Sequence, residues 1–173
     1  MMNELISRLS GPVSKQKSLE VAAFVMTDPS RLDTLIDIFL GDDHRLCQNA
    51  AMTITCLVDH YPGSIHPYIT RCIDQLDKNP IDAVKRNVLR MLQDQETPES
   101  HHGQLVQHCF DYLTNRQTAI AIQVFAMSVL ANLCDIYPDL KNELRIIVED
   151  MIPNGSGGIQ SRGKKILKRL AHG

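Results

Sequence analysis

Residues 46–54 read LCQNAAMTI and place Leu46, Ala50 and Ile54 four residues apart. Positions i, i+4 and i+8 share one face of an α-helix, so this spacing predicts a helix with an apolar stripe. Successive triplets of this kind begin 38, 38 and 37 residues apart, which predicts helical repeats that stack by burying their stripes. The three later triplets are Val84/Val88/Leu92, Ile122/Ala126/Leu130 and Ile159/Gly163/Leu167.

A second sequence mark keeps the same period. Residues 57–62 read LVDHYP and residues 133–138 read LCDIYP, an offset of 76 residues, or two repeats. The repeat between them reads LQDQ at residues 92–95 and is followed by Pro98, about one turn short of the same landmark. We therefore expect the helix that ends there to be shorter than its counterparts.

The composition is typical of an all-α globular protein. Of 173 residues, 43% are hydrophobic, 22% charged and 5% aromatic, with no tryptophan, and abundant Leu, Ile, Ala and Met favour helix over strand. Ser30 or Asp28 is expected to cap the third helix and Ser64 the fifth. We expect a single domain over residues 1–173 with helices at about 3–10, 14–28, 30–40, 44–61, 65–78, 81–95, 99–114, 118–137, 139–151 and 159–171.

Residues 79–85 read NPIDAVK and are followed by Val88 and Leu92. This stretch resembles the HEAT repeat family, whose antiparallel helix pairs have an Asp-Pro type of turn leading into a Val-Arg start of the second helix. Where the family has a basic residue after this anchor, the other repeats have Cys47, Gln123 and Gln160. The resemblance implies a right-handed α-α superhelix, a HEAT-like solenoid of about four to five antiparallel helix pairs. The repeats would cover residues 12–41, 42–78, 79–115 and 116–153, with a capping helix at 159–171.

The resemblance also implies that the second helices of the repeats line a concave surface that binds a partner. The last predicted helix has five basic residues and no acid, whereas the rest of the chain has 13 basic and 20 acidic residues, a net charge of −7. This charge pattern predicts either a patch for an acidic partner or a solvated cap that complements its own C-terminus. The candidate partner-binding residues are Gln48, Lys85, Arg86, Arg90, Gln123, Asn132, Arg162, Lys165 and Arg169.

Sequence signals for catalysis or metal binding are weak. The five cysteines occur singly, with no CxxC spacing, and we interpret them as small buried hydrophobic side chains. His101 and His102 precede His108 and Asp111, but adjacent histidines point apart on a helix, so we interpret the pair as a surface N-terminal turn. Nucleophile-elbow, P-loop and dinucleotide-binding motifs are absent from the sequence. We assign no catalytic, metal-binding or cofactor-binding residue and expect no cofactor.

The preferred function is a non-catalytic scaffold that binds a protein or peptide partner on its concave helical surface. One alternative is a nucleic-acid-binding protein or DNA-repair enzyme, since some bacterial alkylpurine DNA glycosylases are built from similar helical repeats. Those enzymes rely on a basic groove and aromatic residues, whereas this chain has a formal net charge of −2 and no tryptophan. The other alternative is a structural protein that self-associates.

The sequence also bears on location and partners. The first ten residues lack the basic-then-apolar order of a secretion signal, and no apolar run is long enough to span a bilayer. We therefore expect a cytoplasmic protein without a membrane partner. The identity of the partner and the oligomeric state stay open at this point.

Overall fold

Ten α-helices follow one another along residues 1–172, the part of the chain that the computed structural model describes. This part of the chain contains no β-strand, so the predicted all-α fold is confirmed. None of its helices has both the length and the apolar character needed to cross a bilayer. The helices are α1 Met2–Leu9, α2 Lys15–Met26, α3 Pro29–Phe39, α4 His44–His60, α5 Ile69–Asp77, α6 Asp82–Leu92, α7 His102–Thr114, α8 Ile120–Ile136, α9 Leu140–Met151 and α10 Gly157–His172.

The beginnings of the helices show which cap predictions hold. Asp28 caps α3 by accepting a hydrogen bond from the Ser30 amide at 2.9 Å. The hydroxyl and the amide of Ser30 both donate to this carboxylate and lower the pKa of Asp28. The cap predicted at Ser64 is wrong, because a 3-10 turn at His66–Tyr68 precedes α5. The Ser64 hydroxyl is instead buried and has no hydrogen-bond partner within residues 1–172.

Residues Met1–Asn87 form one compact unit, here called the N-terminal unit, around α4. α4 packs against α1, α2 and α3 and buries Ala50 and Ile54. The buried Asn49 side chain on α4 donates a hydrogen bond to the carbonyl of Leu9 at 2.6 Å. This bond matters because a helix end leaves its last carbonyls without a partner inside the helix.

A second compact unit, the C-terminal unit, begins at Val88 and is organised around α8. α8 packs against α7, α9 and α10, and ten of its 17 residues are buried. A helix that is covered on most sides has a nearly continuous apolar sequence, as IAIQVFAMSVL does at residues 120–130. α8 therefore positions the other helices of this unit.

The apolar triplets that define the period are largely inaccessible to solvent. Leu46 and Leu167 are half-buried, and the other members of the four triplets are buried. The middle position is covered in every triplet, which is why its residues are small or of moderate size. These middle residues are Ala50, Val88, Ala126 and Gly163.

α6 is shorter than the equivalent helices, as its sequence predicts. It has 11 residues, whereas α4 and α8 have 17 each. α4 and α8 continue to His60 and Ile136, just before their Tyr-Pro pairs, but α6 ends at Leu92. Residues 93–97 consequently form a loop.

At Gly163, α10 packs so closely against the end of α9 that a side chain does not fit without movement. A Cβ atom at this position would lie 2.9 Å from Cγ1 of Ile152 and 3.2 Å from Cγ1 of Val148. Both neighbours are branched near the backbone and have little freedom to withdraw. Glycine in the interior of α10 is therefore explained by packing.

We expect Gly163→Ala to lower the free energy of unfolding by about 1 kcal/mol. Overpacking by the added methyl group costs roughly 1–3 kcal/mol, which outweighs the gain of about 1 kcal/mol in helix propensity when alanine replaces glycine. Gly158→Ala in the same helix is the matched control, because its nearest neighbours would lie at 3.8 Å. Thermal unfolding of both variants checks this, and a Gly163→Ala protein as stable as Gly158→Ala would contradict the packing explanation.

Candidate functional site

Two candidate residues of the N-terminal unit contact each other. Arg86 on α6 donates a hydrogen bond to Oε1 of Gln48 on α4, and the buried Asn87 amide lies 3.5 Å from the same oxygen. Nζ of Lys85 lies 3.8 Å from Oδ1 of Asp82, and the Lys85 side chain is only 16% exposed. Residues one repeat apart are thus joined by polar side chains between α4 and α6.

Three candidate residues of the C-terminal unit converge around Gln93. The side chain of Asn132 on α8 donates a hydrogen bond to the backbone carbonyl of Gln93 at 2.8 Å. Arg162 on α10 donates a hydrogen bond to Oε1 of the Gln93 side chain at 3.2 Å. The guanidinium of Arg169 donates to Oδ1 of Asn132 at 2.9 Å and to Oδ2 of Asp135 at 2.6 Å. The structure therefore brings Asn132, Arg162 and Arg169 together.

The remaining candidate residues differ in their access to solvent. Arg90 on α6 is half-buried and Lys165 on α10 is exposed. Gln123 is buried on α8, and its amide donates to the carbonyls of Tyr112 and Asn115 at 3.3 and 3.4 Å. Gln123 links α8 to the end of α7, so the surface proposed below does not include it.

An open groove of about 590 Å³ lies beside the C-terminal half of α8. One wall is loop 93–97, the other is the α8 surface from Val129 to Ile136, and Arg169 reaches it from α10. The early end of α6 supplies the loop that forms the first wall. We call this the α8 groove; its lining residues are Leu92, Gln93, Asp94, Gln95, Glu96, Thr97, Val129, Asn132, Leu133, Asp135, Ile136 and Arg169.

Side chains hold both ends of loop 93–97. Asn132 binds the carbonyl of Gln93, and Nε2 of His102 lies 2.9 Å from the carbonyl of Thr97. The other nitrogen of His102, Nδ1, lies 3.0 Å from the Tyr137 hydroxyl, and the two rings pack edge to face. The loop is therefore fixed at both ends, which lowers the conformational entropy that the loop itself would lose when a ligand binds beside it.

The interpretation of His101 and His102 as a surface turn is wrong for His102. This side chain is only 6% exposed, because it bridges loop 93–97 and the residue that follows α8. No group of three His, Cys, Asp or Glu side chains within residues 1–172 is arranged to hold a metal ion. His102 thus has a structural role that its sequence neighbourhood does not reveal.

The family model described as the HEAT repeat domain matches residues 5–170. The chain belongs to the HEAT repeat family. This match confirms the resemblance seen in the NPIDAVK stretch. Neither the curated proteins nor the solved structures contain a significant match to this HEAT repeat chain.

Several groove residues of this HEAT repeat chain lie outside the candidate set from the sequence. Asp94 and Glu96 stand on loop 93–97, and Asp135 and Ile136 end α8. The LQDQ segment at residues 92–95 signalled the early end of α6, and Asp135 belongs to the repeated LCDIYP mark. Neither signal shows that the loop lies opposite α8, because that placement depends on tertiary contacts.

The basic residues of α10 fall into two groups. Lys164, Lys165 and Lys168 are exposed, and their ammonium groups make no hydrogen bond or ion pair within the described residues. Arg162 and Arg169 instead contact groups around the α8 groove. The five charges that the sequence presents as one patch therefore have different surroundings.

The five cysteines of this HEAT repeat chain are free and buried, as predicted. Burial raises the pKa of every thiol and brings that of Cys72 to about 12. The raised pKa keeps these thiols protonated at neutral pH. They are therefore unreactive, because the thiolate is the reactive form. None of the five lines the α8 groove.

We expect the folded protein to resist alkylation by iodoacetamide at neutral pH. Protonated, buried thiols present neither the reactive form nor access to the reagent. Intact mass measurement should show no adduct on the folded chain and five on the chain alkylated in denaturant. Rapid modification of one cysteine in the folded protein would show that its helix opens or that its surroundings are misassigned.

Proposed function

We propose that this HEAT repeat chain is a non-catalytic scaffold that binds a segment of a protein partner in the α8 groove. Family membership supports this, because HEAT repeats generally mediate protein interactions. The observation that carries the proposal is a preformed groove in which Ile136, 57% exposed, stands near the polar side chains of Asn132 and Arg169. An apolar contact area with a few fixed polar groups is typical of recognition surfaces.

The charges of the groove favour a protein segment over a nucleic acid. Asp94, Glu96 and Asp135 line it together with one basic residue, Arg169. A phosphate backbone requires several converging Lys or Arg side chains and would be repelled by these carboxylates. The exposed lysines of α10 are the basic cluster on which we test the nucleic-acid alternative.

Three expectations from the sequence form part of this proposal. The first is the division of residues 12–153 into four repeats within a single domain, and the second is the right-handed superhelix. The third is a cytoplasmic location, which the five free cysteines support because a reducing compartment keeps thiols unpaired.

We expect Ile136→Arg to reduce recovery of the protein partner at least about tenfold, the effect of losing a central apolar contact. Ile136 is already 57% exposed, so the change should leave the fold intact. The measurement is quantitative affinity capture from extracts of the source cells, with the tagged wild-type chain as reference. Ile146→Arg on α9 is the matched control, since Ile146 is 53% exposed and lies outside the α8 groove.

Equal recovery of partners by the wild-type chain and the Ile136→Arg variant would contradict the proposal.

Salt-titrated binding of a DNA duplex tests the alternative function. Affinity that falls steeply with salt, and that is lost in a Lys164→Glu/Lys168→Glu variant, would favour a nucleic-acid-binding protein.

A further inference from the structure

The α8 groove has an excess of negative charge. Asp94 and Glu96 are exposed on loop 93–97, and neither carboxylate has a hydrogen-bond or ion-pair partner within residues 1–172. Asp135 is the third acidic residue of the lining and is paired with Arg169. Among the lining residues, one guanidinium thus faces three carboxylates. Arg162 lies outside the lining and binds Oε1 of Gln93 rather than a carboxylate, so within the described residues neither Asp94 nor Glu96 is paired with a cation.

Two helices end at this groove and add to its negative potential. α6 ends at Leu92 and α8 at Ile136, and both residues line the groove. The last carbonyls of a helix carry partial negative charge and attract cations. The last turn of α8 contains no basic residue, and Arg90 in the last turn of α6 does not line the groove.

Arg169 shows how a cation is held at this place. Its guanidinium donates to Oδ2 of Asp135 and to Oδ1 of Asn132, beside the C-terminal end of α8. The pairing satisfies one carboxylate and leaves Asp94 and Glu96 to the solvent. The groove therefore already accommodates one positive side chain and has unpaired acceptors for another.

The groove also exposes an apolar surface. Ile136 is 57% exposed at the end of α8, and Val129, Leu133 and Leu92 belong to the same lining. An exposed isoleucine and two unpaired carboxylates that line the same groove are complementary to a ligand that has both an aliphatic side chain and a positive charge. A purely ionic ligand would leave Ile136 uncovered.

From this arrangement we infer that the α8 groove binds a basic and apolar peptide segment of a partner protein. A Lys or Arg side chain of the segment faces Asp94 and Glu96, and an aliphatic side chain covers Ile136. The inference rests on the proposed function and adds the chemistry of the partner to it. Charge complementarity selects this ligand over an acidic segment, whose carboxylates would meet those of the groove.

Fluorescence anisotropy with the full chain tests this directly. One labelled probe is a short peptide that alternates Arg or Lys with Leu, and the second replaces every basic residue with Glu. We expect the basic peptide to bind and the acidic peptide not to bind. Binding of the basic peptide should weaken with added salt, because the paired charges are exposed.

Asp94→Asn/Glu96→Gln should weaken binding of the basic peptide by about tenfold, since each exposed ion pair contributes a few-fold. Asp139→Asn/Glu143→Gln, at the N-terminal end of α9, is the matched control. The control removes the same charge from exposed residues that do not line the groove. The affinity of this variant for the basic peptide should therefore stay within about twofold of the wild-type value. Circular dichroism verifies that all variants remain folded.

Arg169→Gln should change the affinity for the basic peptide in the opposite direction. The change frees Asp135 and Asn132, so we expect the basic peptide to bind about threefold more tightly. If the groove bound an acidic segment, the same variant would lose a cationic contact and affinity for the acidic peptide would fall. General destabilisation would weaken binding of either peptide and cannot produce the expected gain.

The inference is overturned if the acidic peptide binds more tightly, if neither peptide binds, or if the groove variant behaves like its control. It is also overturned if the chain forms a dimer that Asp94→Asn/Glu96→Gln abolishes, because the occupant is then a second copy. Each of these results is separate from the affinity-capture experiment. Unchanged capture by the Ile136→Arg variant contradicts the proposed function itself, whereas a failure of the peptide experiments alone contradicts only the chemistry assigned to the partner.

Discussion

Burial of one apolar stripe on each second helix is the constraint on which the rest of the structure depends. Burial of Ala50 and Ile54 on α4, and of Ala126 and Leu130 on α8, favours one rotation of each helix about its axis. On α8, where ten of 17 residues are buried, the helices that pack on its other sides contribute to the same rotation. A buried leucine replaced by alanine typically costs about 2–5 kcal/mol, so the rotation is strongly determined. Polar residues beside the stripe then have fixed directions as well.

The polar contacts around the second helices follow from that rotation. Gln48 and Arg86 each stand two positions after the first member of their triplet, and the structure joins them. In the C-terminal unit, Asn132 binds both Gln93 and Arg169. These bonds are too weak to determine the fold, but they align the side chains that border the groove.

The helices could be predicted well from the sequence because their signals are local. The apolar period, proline and glycine positions and the Tyr-Pro marks placed all ten helices, and the missing landmark after Leu92 correctly indicated a short α6. Ser64 and His102 were misread because their surroundings come from segments that the local pattern does not describe. Capping and burial at such positions are decided by tertiary contacts.

The site was predicted only in part, for the same reason. Asn132 lies at a fixed position relative to an apolar stripe, so periodicity was enough to select it, and Arg169 was selected because the last helix has five basic residues and no acid. Asp94 and Glu96 lie on a loop without periodicity, and their position depends on the bonds that Asn132 and His102 make to the ends of that loop. Charge counts likewise could not separate the arginines of α10 from its lysines.

The shortened α6 has an evolutionary consequence. Repeats that arise by duplication begin as identical copies, and identical copies would present a ladder of interchangeable binding positions. α6 ends at Leu92 and has no counterpart of the Tyr-Pro pairs at residues 61–62 and 137–138, so it differs from α4 and α8 at this point. Under the proposed function, a ligand that recognises the loop formed there would bind at that place on the chain and not at the equivalent ends of α4 and α8.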